Sequence, residues 1–182
     1  MFGRLLLRAA IAAVFFEHGT QKLFGWFGGG GPDGTGQFFE SLGLRPGRRI
    51  ALATGTTEVT GGALVAAGFV TPVGAAALSA VMLGALRTAV WPNGYKAGTG
   101  ELEVMLLASA VALAETGPGE LSLDAALGRE LRGPAWAGAA LAAGAASAGL
   151  MIAAARRQPP PPRPEQQQVQ DEPAPATADA RS

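Results

Sequence analysis

The sequence has no cysteine and a single histidine, and both scarcities exclude particular kinds of chemistry. Without cysteine the chain can form no disulfide, CxxC redox motif, thiolate nucleophile or cysteine-ligated iron–sulfur cluster. One histidine rules out a His-rich metal site or bis-histidine haem within one chain, and we predict no metal site. In a redox role, electrons must therefore be carried by a bound cofactor or by a partner protein.

Charge is also scarce, since only 15% of the 182 residues are charged and fourteen basic side chains balance fourteen acidic ones. This zero net charge argues against nucleic acid as a partner, because binding phosphates requires clustered Lys and Arg. Hydrophobic residues make up 48% of the chain. The composition is typical of membrane proteins, so we predict contact with a lipid bilayer.

Apolar runs of about 20 residues, the length that crosses a bilayer, recur between Gly- and Pro-rich breaks. We predict spans at 5–27, 50–69, 73–91, 102–113 and, in an Ala/Gly-rich run, 134–155. The fold class predicted is all-α, a polytopic membrane helix bundle with four core transmembrane helices plus a fifth. We divide the chain into a membrane domain at 1–127, an additional transmembrane helix at 128–155 and a disordered Pro/Gln-rich tail at 156–182.

Three shorter segments carry their own predictions. Arg4 and Arg8 precede an apolar run in the manner of a signal peptide, but no small-residue cleavage site follows, so we expect a retained first span. Residues 28–36 are predicted to break the chain, and 37–49 to lie at the interface as an amphipathic piece. Ser122 is predicted to be the N-cap of a short helix through 131.

Several ionisable residues interrupt the apolar runs, and each costs about 2.5–3.5 kcal/mol near the centre of a span unless it pairs or faces water. Alternating helix directions place them in the same half of the bilayer. We therefore predict one buried polar pocket containing Glu17, His18, Lys22, Glu58, Arg87 and Glu103. Gly61 and Gly62 follow Glu58 on its helix, and are predicted to let another helix or a ligand pack closely.

Simpler explanations exist for most of these residues. Lys22 and Arg87 lie close enough to span ends to extend towards the interface. Glu103 is also explained by a favourable interaction with a helix N-terminus. A hydrogen-bonded core histidine explains His18 better than a metal ligand does, whereas Glu58 at mid-span indicates a functional or architectural role.

Four stretches resemble the DoxX family of bacterial inner-membrane proteins: EHGTQKLFG, LGLRPGRRIALATGTTEVTGGALVAAGFVTP, GYKAGTGELEVMLL and GPGELSLDAAL. The resemblance runs from about residue 4 to 127. It assigns pattern positions to His18, Lys22, Glu58, Gly62, Glu103 and Asp124, with a looser match at Arg87. It implies four spans, so the fifth run and the tail depart from the family.

The resemblance implies a multi-pass protein of the bacterial inner membrane in a redox setting, thiosulfate/quinone or oxidative stress. We expect a membrane partner or scaffold subunit with a buried charged pocket, which recruits a soluble redox enzyme. The alternative is a quinone-binding oxidoreductase subunit, in which His18 and Lys22 donate hydrogen bonds to a quinone and Glu58 or Glu17 handles protons. A small-molecule or proton-coupled transporter is a third hypothesis, although no inverted repeat supports it. Enzymatic activity and homo-oligomerisation stay open.

Overall fold

The computed structural model describes residues 2–95 and 98–159, and within these ranges it is helical with no strand, which confirms the predicted all-α bundle. Its helices are α1 Phe2–Phe24, α2 Gly31–Ser41, α3 Gly47–Ala67, α4 Thr71–Ala85, α5 Glu101–Thr116, α6 Leu123–Ala126 and α7 Pro134–Arg156. A π-helical turn at Leu86–Val90 and a 3-10 turn at Trp91–Asn93 continue α4. The predicted disordered tail lies almost wholly outside the described residues.

The long helices run alternately in opposite directions, so their connections form two ends of the bundle. We call residues 25–50 and 91–101 the α2 end, and residues 67–72 and 116–133 the α6 end. Backbone hydrogen bonds join these connections to one another or to an adjoining helix end: Arg45 N to Ala155 O at 3.2 Å, Asp124 N to Gly68 O at 2.8 Å, and Gly133 N to Glu115 O at 2.8 Å.

Helix α2 begins inside the stretch that was predicted to break the chain. Pro32 in its first turn has the backbone φ that a helix start requires, and Asp33 interacts favourably with the N-terminal dipole. Gly36 lets α2 pack against the start of α3, because a Cβ there would lie 2.8 Å from Arg48 N. Gly36 therefore serves close helix packing rather than a break in the chain.

The short helix α6 has the predicted N-cap but not the predicted length. Ser122 Oγ accepts a hydrogen bond from Ala125 N at 3.2 Å, which confirms the cap. The helix ends at Ala126, and Gly128 then takes a left-handed φ of 64° that turns the chain towards α7.

Helices α1 and α3 cross at a pair of glycines. A Cβ on Gly19 would lie 2.8 Å from Gly55 O, and a Cβ on Gly55 would lie 3.0 Å from Gly19 O. Each helix therefore presents its bare backbone to the other. Because the two helices are antiparallel, Lys22, three residues beyond Gly19, and Glu58, three beyond Gly55, lie on opposite sides of the crossing. The long side chain of Lys22 reaches back across it, towards the backbone oxygen of His18 and the carboxylate of Glu58.

The two glycines predicted to aid packing face different helices. A Cβ on Gly61 would lie 2.8 Å from Leu78 Cδ2 of α4, whereas one on Gly62 would lie 3.3 Å from Phe15 Cβ of α1. Helix α7 packs on the other side of α4 through Gly144, whose Cβ would lie 2.7 Å from Ser79 Cβ. Helix α4 is thus held between α3 and α7 by small residues.

Among the residues that the structure describes, three helical segments are long and apolar enough to cross a membrane: Gly47–Ala67, Thr71–Asn93 and Pro134–Arg156. Five spans were predicted. Helix α1 has 23 residues but carries four charged side chains, and α5 has 16 residues, fewer than the about 20 that a bilayer requires.

Candidate functional site

A buried ion pair joins α1 to α3 next to their glycine crossing. Lys22 Nζ lies 2.8 Å from Glu58 Oε2 and donates a hydrogen bond to Glu58 Oε1 at 2.9 Å. The Glu58 side chain is 1% exposed and that of Lys22 is 19% exposed. Lys22 Nζ also donates to the backbone oxygen of His18 at 3.2 Å, one turn earlier. The ammonium is therefore held by both helices.

Among the described residues, the donor to the Glu58 carboxylate is the ammonium of Lys22, which hydrogen-bonds to Oε1 and lies 2.8 Å from Oε2. An ionised carboxylate can accept about four hydrogen bonds, so the pair leaves capacity for a further donor.

His18 and Glu103 complete the polar group. Both are half-buried, and Glu103 lies in the first turn of α5, within electrostatic reach of the imidazole. No side chain of the described part of the protein hydrogen-bonds to the His18 ring. The histidine therefore keeps a donor and an acceptor free for another molecule.

These four side chains line one cavity of about 610 Å³. The volume lies within the 300–1,000 Å³ range of small-molecule sites. The other walls are mostly apolar, and come from α2, α4 and α7. Their larger side chains are Phe38, Phe39, Leu42, Val73, Val81, Met82 and Met151. The cavity is thus apolar along most of its length, with His18, Lys22, Glu58 and Glu103 as its charged or titratable lining.

Two residues predicted for the pocket lie outside it. Glu17 is exposed and accepts a hydrogen bond from Gln21 Nε2 at 3.3 Å, because it points about 100° away from His18 around α1. Arg87 is exposed on the π-helical turn and does not line the cavity. Of the six predicted residues, the structure brings four together.

Arg8 belongs to a second buried polar cluster at the α6 end, which we did not predict. Its side chain is 3% exposed and donates hydrogen bonds to four backbone oxygens. The acceptors are Val65 at 2.9 Å, Pro118 at 3.0 Å, Leu121 at 2.6 Å, and Ala66. Two of these carbonyls belong to the last turn of α3, where a cation is favourable.

Asp124 is the carboxylate of this second cluster, and it caps the start of α4. Its Oδ1 accepts from Val70 N at 2.9 Å, and its Oδ2 accepts from Thr71 N at 3.1 Å and Thr71 Oγ1 at 3.0 Å. The family-like stretch GPGELSLDAAL contains this aspartate. Nothing in the local sequence indicates that Arg8, 116 positions earlier, lies at the same end of the bundle.

The fold and the cavity together define a helical membrane protein with a mostly apolar cavity that carries charged side chains at one end. The chain belongs to the DoxX family, whose profile matches residues 3–91. It is 34% identical over 122 residues to a Bacillus subtilis (strain 168) protein described as "Putative oxidoreductase CatD", which covers 67% of this chain and 84% of that protein. No solved structure matches the chain.

Proposed function

We propose that this chain is the membrane subunit of a redox system and that its cavity binds a quinone. The observation that carries the proposal is the buried Glu58 carboxylate, paired with Lys22, at the polar end of an apolar cavity. The family and the oxidoreductase name of the relative support a redox setting. We place the protein in the bacterial inner membrane as a multi-pass protein.

A quinone fits the polar end of the cavity because its oxygens accept hydrogen bonds in the oxidised form and donate them in the reduced quinol form. Its carbonyl oxygens accept hydrogen bonds, which Lys22 and His18 supply. The hydroxyl groups of the quinol donate, and the Glu58 carboxylate accepts. An anionic ligand would instead meet the carboxylates of Glu58 and Glu103, and a cationic one would compete with Lys22. The site therefore favours a neutral ring with exchangeable protons.

We assign the transport of electrons to a partner protein. Cysteine chemistry and bis-histidine haem are excluded by the sequence, so we propose that a soluble redox enzyme docks at the membrane and exchanges electrons with the bound ring. This chain would position the quinone, keep water from its apolar part and exchange protons through its carboxylates.

Binding of menaquinone to the full chain in lipid nanodiscs tests the proposal. Glu58→Gln keeps the side-chain shape, but its amide cannot accept at both positions as the carboxylate does. We expect affinity to fall by about tenfold or more, because hydrogen bonds to charged groups are worth about 1.5–3 kcal/mol. Glu17→Gln on the neighbouring exposed position is the matched control, and should bind as the wild type does. A wild-type protein that binds no quinone would refute the proposal.

A scaffold without a ligand is the second candidate, and the Lys22–Glu58 pair favours it because the pair ties α1 to α3. In that case Glu58→Gln would lower thermal stability, and no quinone would bind to either protein. The protein should then still retain its partner enzyme during mild-detergent purification. Quinone binding that is lost at unchanged melting temperature would exclude the scaffold as the whole explanation.

A further inference from the structure

The start of α3 and the end of α7 meet at the α2 end of the bundle. Arg45 N donates a hydrogen bond to Ala155 O at 3.2 Å, which joins the chain just before α3 to the last turn of α7. Beside this bond, a small apolar cluster packs the two segments together: Leu44, Ile50, Ile152 and Ala155. Their contact is therefore fixed by packing as well as by a hydrogen bond.

Arginines are concentrated where these two helix ends meet. Four of them, which we call the arginine junction, lie within one turn of the start of α3 or the end of α7: Arg45, Arg49, Arg156 and Arg157. None of the four forms an ion pair within the described part of the chain. The carboxylates that α2 brings to the start of α3 have other partners. Asp33 pairs with Arg48 at 2.9 Å, and Glu40 Oε1 accepts from Gly47 N at 3.0 Å.

The helix dipole explains only part of this concentration of arginine. A cation is favourable at the C-terminus of a helix, which accounts for Arg156 in the last turn of α7. The N-terminus of α3 has the opposite preference, because its free backbone N–H groups carry partial positive charge. Its first turn contains no acidic residue, and Arg45 and Arg49 lie there instead. This helix end therefore attracts an anion.

Arg45 also has an unused hydrogen-bond donor inside the protein. The residue is half-buried, and its buried Nε has no hydrogen-bond partner among the described residues. Buried polar groups nearly always have a partner, so this donor indicates one that binds from outside the chain. Guanidinium groups bind phosphate oxygens through pairs of parallel N–H donors. A phosphate group at the arginine junction would supply the acceptor.

The arginine junction lies at the level where two candidate membrane spans end. These spans are Gly47–Ala67 and Pro134–Arg156, so Arg45 lies two residues outside the first and Arg157 directly outside the second. The ends of a span lie in the headgroup region of a bilayer. The guanidinium groups are therefore placed where the phosphates of lipids lie.

The outer surface of α7 offers a place for the acyl chains of the same lipid. Leu150 is 73% exposed and Ala154 is exposed, and both lie on the face of α7 that ends at Arg157 because the spacings are four and three residues. This face is apolar below the arginine. A lipid phosphate at Arg157 would therefore have its acyl chains along Leu150.

We infer that the arginine junction binds the phosphate of an anionic membrane lipid, which links the start of α3 to the end of α7. The site is separate from the cavity, because none of its four arginines lines it. Two of the four lie on α7, outside the stretch that matches the family profile. The inference goes beyond the proposed function and does not depend on quinone binding.

Titration of the full chain in detergent with phosphatidylglycerol, followed by native mass spectrometry, tests this site. Phosphatidylcholine is the reference lipid, because its phosphate is neutralised by its own choline group. We expect the wild type to bind one phosphatidylglycerol about tenfold or more tightly than phosphatidylcholine, since each arginine near an anionic lipid strengthens binding. The double variant Arg45→Gln, Arg156→Gln should remove most of this preference.

The matched control is the double variant Arg129→Gln, Arg132→Gln, which removes the same charge from exposed arginines at the α6 end. It should keep the wild-type preference. Glu58→Gln should keep it as well, because the cavity is a different site. Inorganic phosphate in large molar excess distinguishes a lipid site from a site for the free ion. Phosphatidylglycerol should stay bound, because its acyl chains add contacts with α7.

Equal binding of the two lipids by the wild type would overturn the inference. An equal loss of preference in both double variants would also overturn it, because it would show a general effect of charge. Displacement of phosphatidylglycerol by inorganic phosphate would exclude a lipid as the ligand. If the Arg45 variant does not fold, Arg156→Gln with Arg157→Gln takes its place with the same expected result, since both residues are exposed.

Discussion

The two buried polar clusters differ in how completely the protein satisfies them. At the α6 end, Arg8 donates to four carbonyls and Asp124 accepts three hydrogen bonds. Nearer the α2 end, the Glu58 carboxylate has Lys22 as its one donor, and the His18 ring has no side-chain partner, among the described residues. The second cluster lines the cavity of about 610 Å³, whereas Arg8 and Asp124 are not among the residues that line it.

This difference distinguishes a cluster that stabilises the fold from one that can bind a ligand. Buried polar groups are nearly always hydrogen-bonded, so a saturated cluster has all the partners it needs and its role is to hold helix ends in place. An unsaturated group beside an apolar cavity retains capacity for a ligand. Charge within an apolar helix does not by itself distinguish the two cases, because both clusters contain one cation and one buried carboxylate.

The largest expected loss of stability comes from Asp124→Ala. The backbone amides of Val70 and Thr71 would lose their acceptor, and each unsatisfied buried donor costs about 1–3 kcal/mol. We expect the free energy of unfolding to fall by about 3 kcal/mol or more, measured by thermal unfolding in detergent. Asp33→Ala removes an exposed carboxylate and its surface ion pair, and should cost under about 1 kcal/mol. Equal effects of the two variants would contradict the architectural role.

A smaller loss is expected from Gly19→Ala, which acts on the ligand site through packing. The added methyl group would lie 2.6 Å from Val59 Cγ2 and 2.8 Å from Gly55 O, so α1 and α3 must separate. Overpacking of this kind costs about 1–3 kcal/mol. Separation also moves Lys22 away from Glu58, so menaquinone affinity should fall too. Gly149→Ala, where a methyl group meets nothing within 4 Å, is the control and should leave both unchanged or raise stability slightly.

The smallest expected change in stability, with a large change in binding, belongs to the double variant Lys22→Met, Glu58→Leu. Replacing a buried ion pair by apolar residues of similar volume is often neutral or stabilising. We expect the melting temperature to stay within a few degrees while menaquinone binding is lost. A strongly destabilised double variant would instead assign this cluster to the architecture, together with Arg8 and Asp124.

Local sequence was sufficient to predict the helices, the Ser122 cap and four of the cavity residues. Those predictions succeed because apolar length, turn residues and the cost of charge in lipid act within a single segment. Glu17 and Arg87 were assigned to the pocket because of the same cost of placing charge in lipid. That cost limits how deep in the bilayer a charged residue can lie, but not the direction in which it points around its helix. Gly19 and Gly55 were missed because a glycine in an apolar helix gives no indication of which helix it faces.

By itself the sequence determined that this is a helical membrane protein of the DoxX family, with charge concentrated on certain helices, because composition and segment length do not depend on distant contacts. Only the tertiary structure decided which charges meet, since the close approach of α1 and α3 at Gly19 and Gly55 lets Lys22 reach Glu58, and Arg8 reaches carbonyls more than a hundred residues away. It also decided that α7 forms a wall of the cavity. Such contacts depend on how separate helices pack, and no local pattern encodes that.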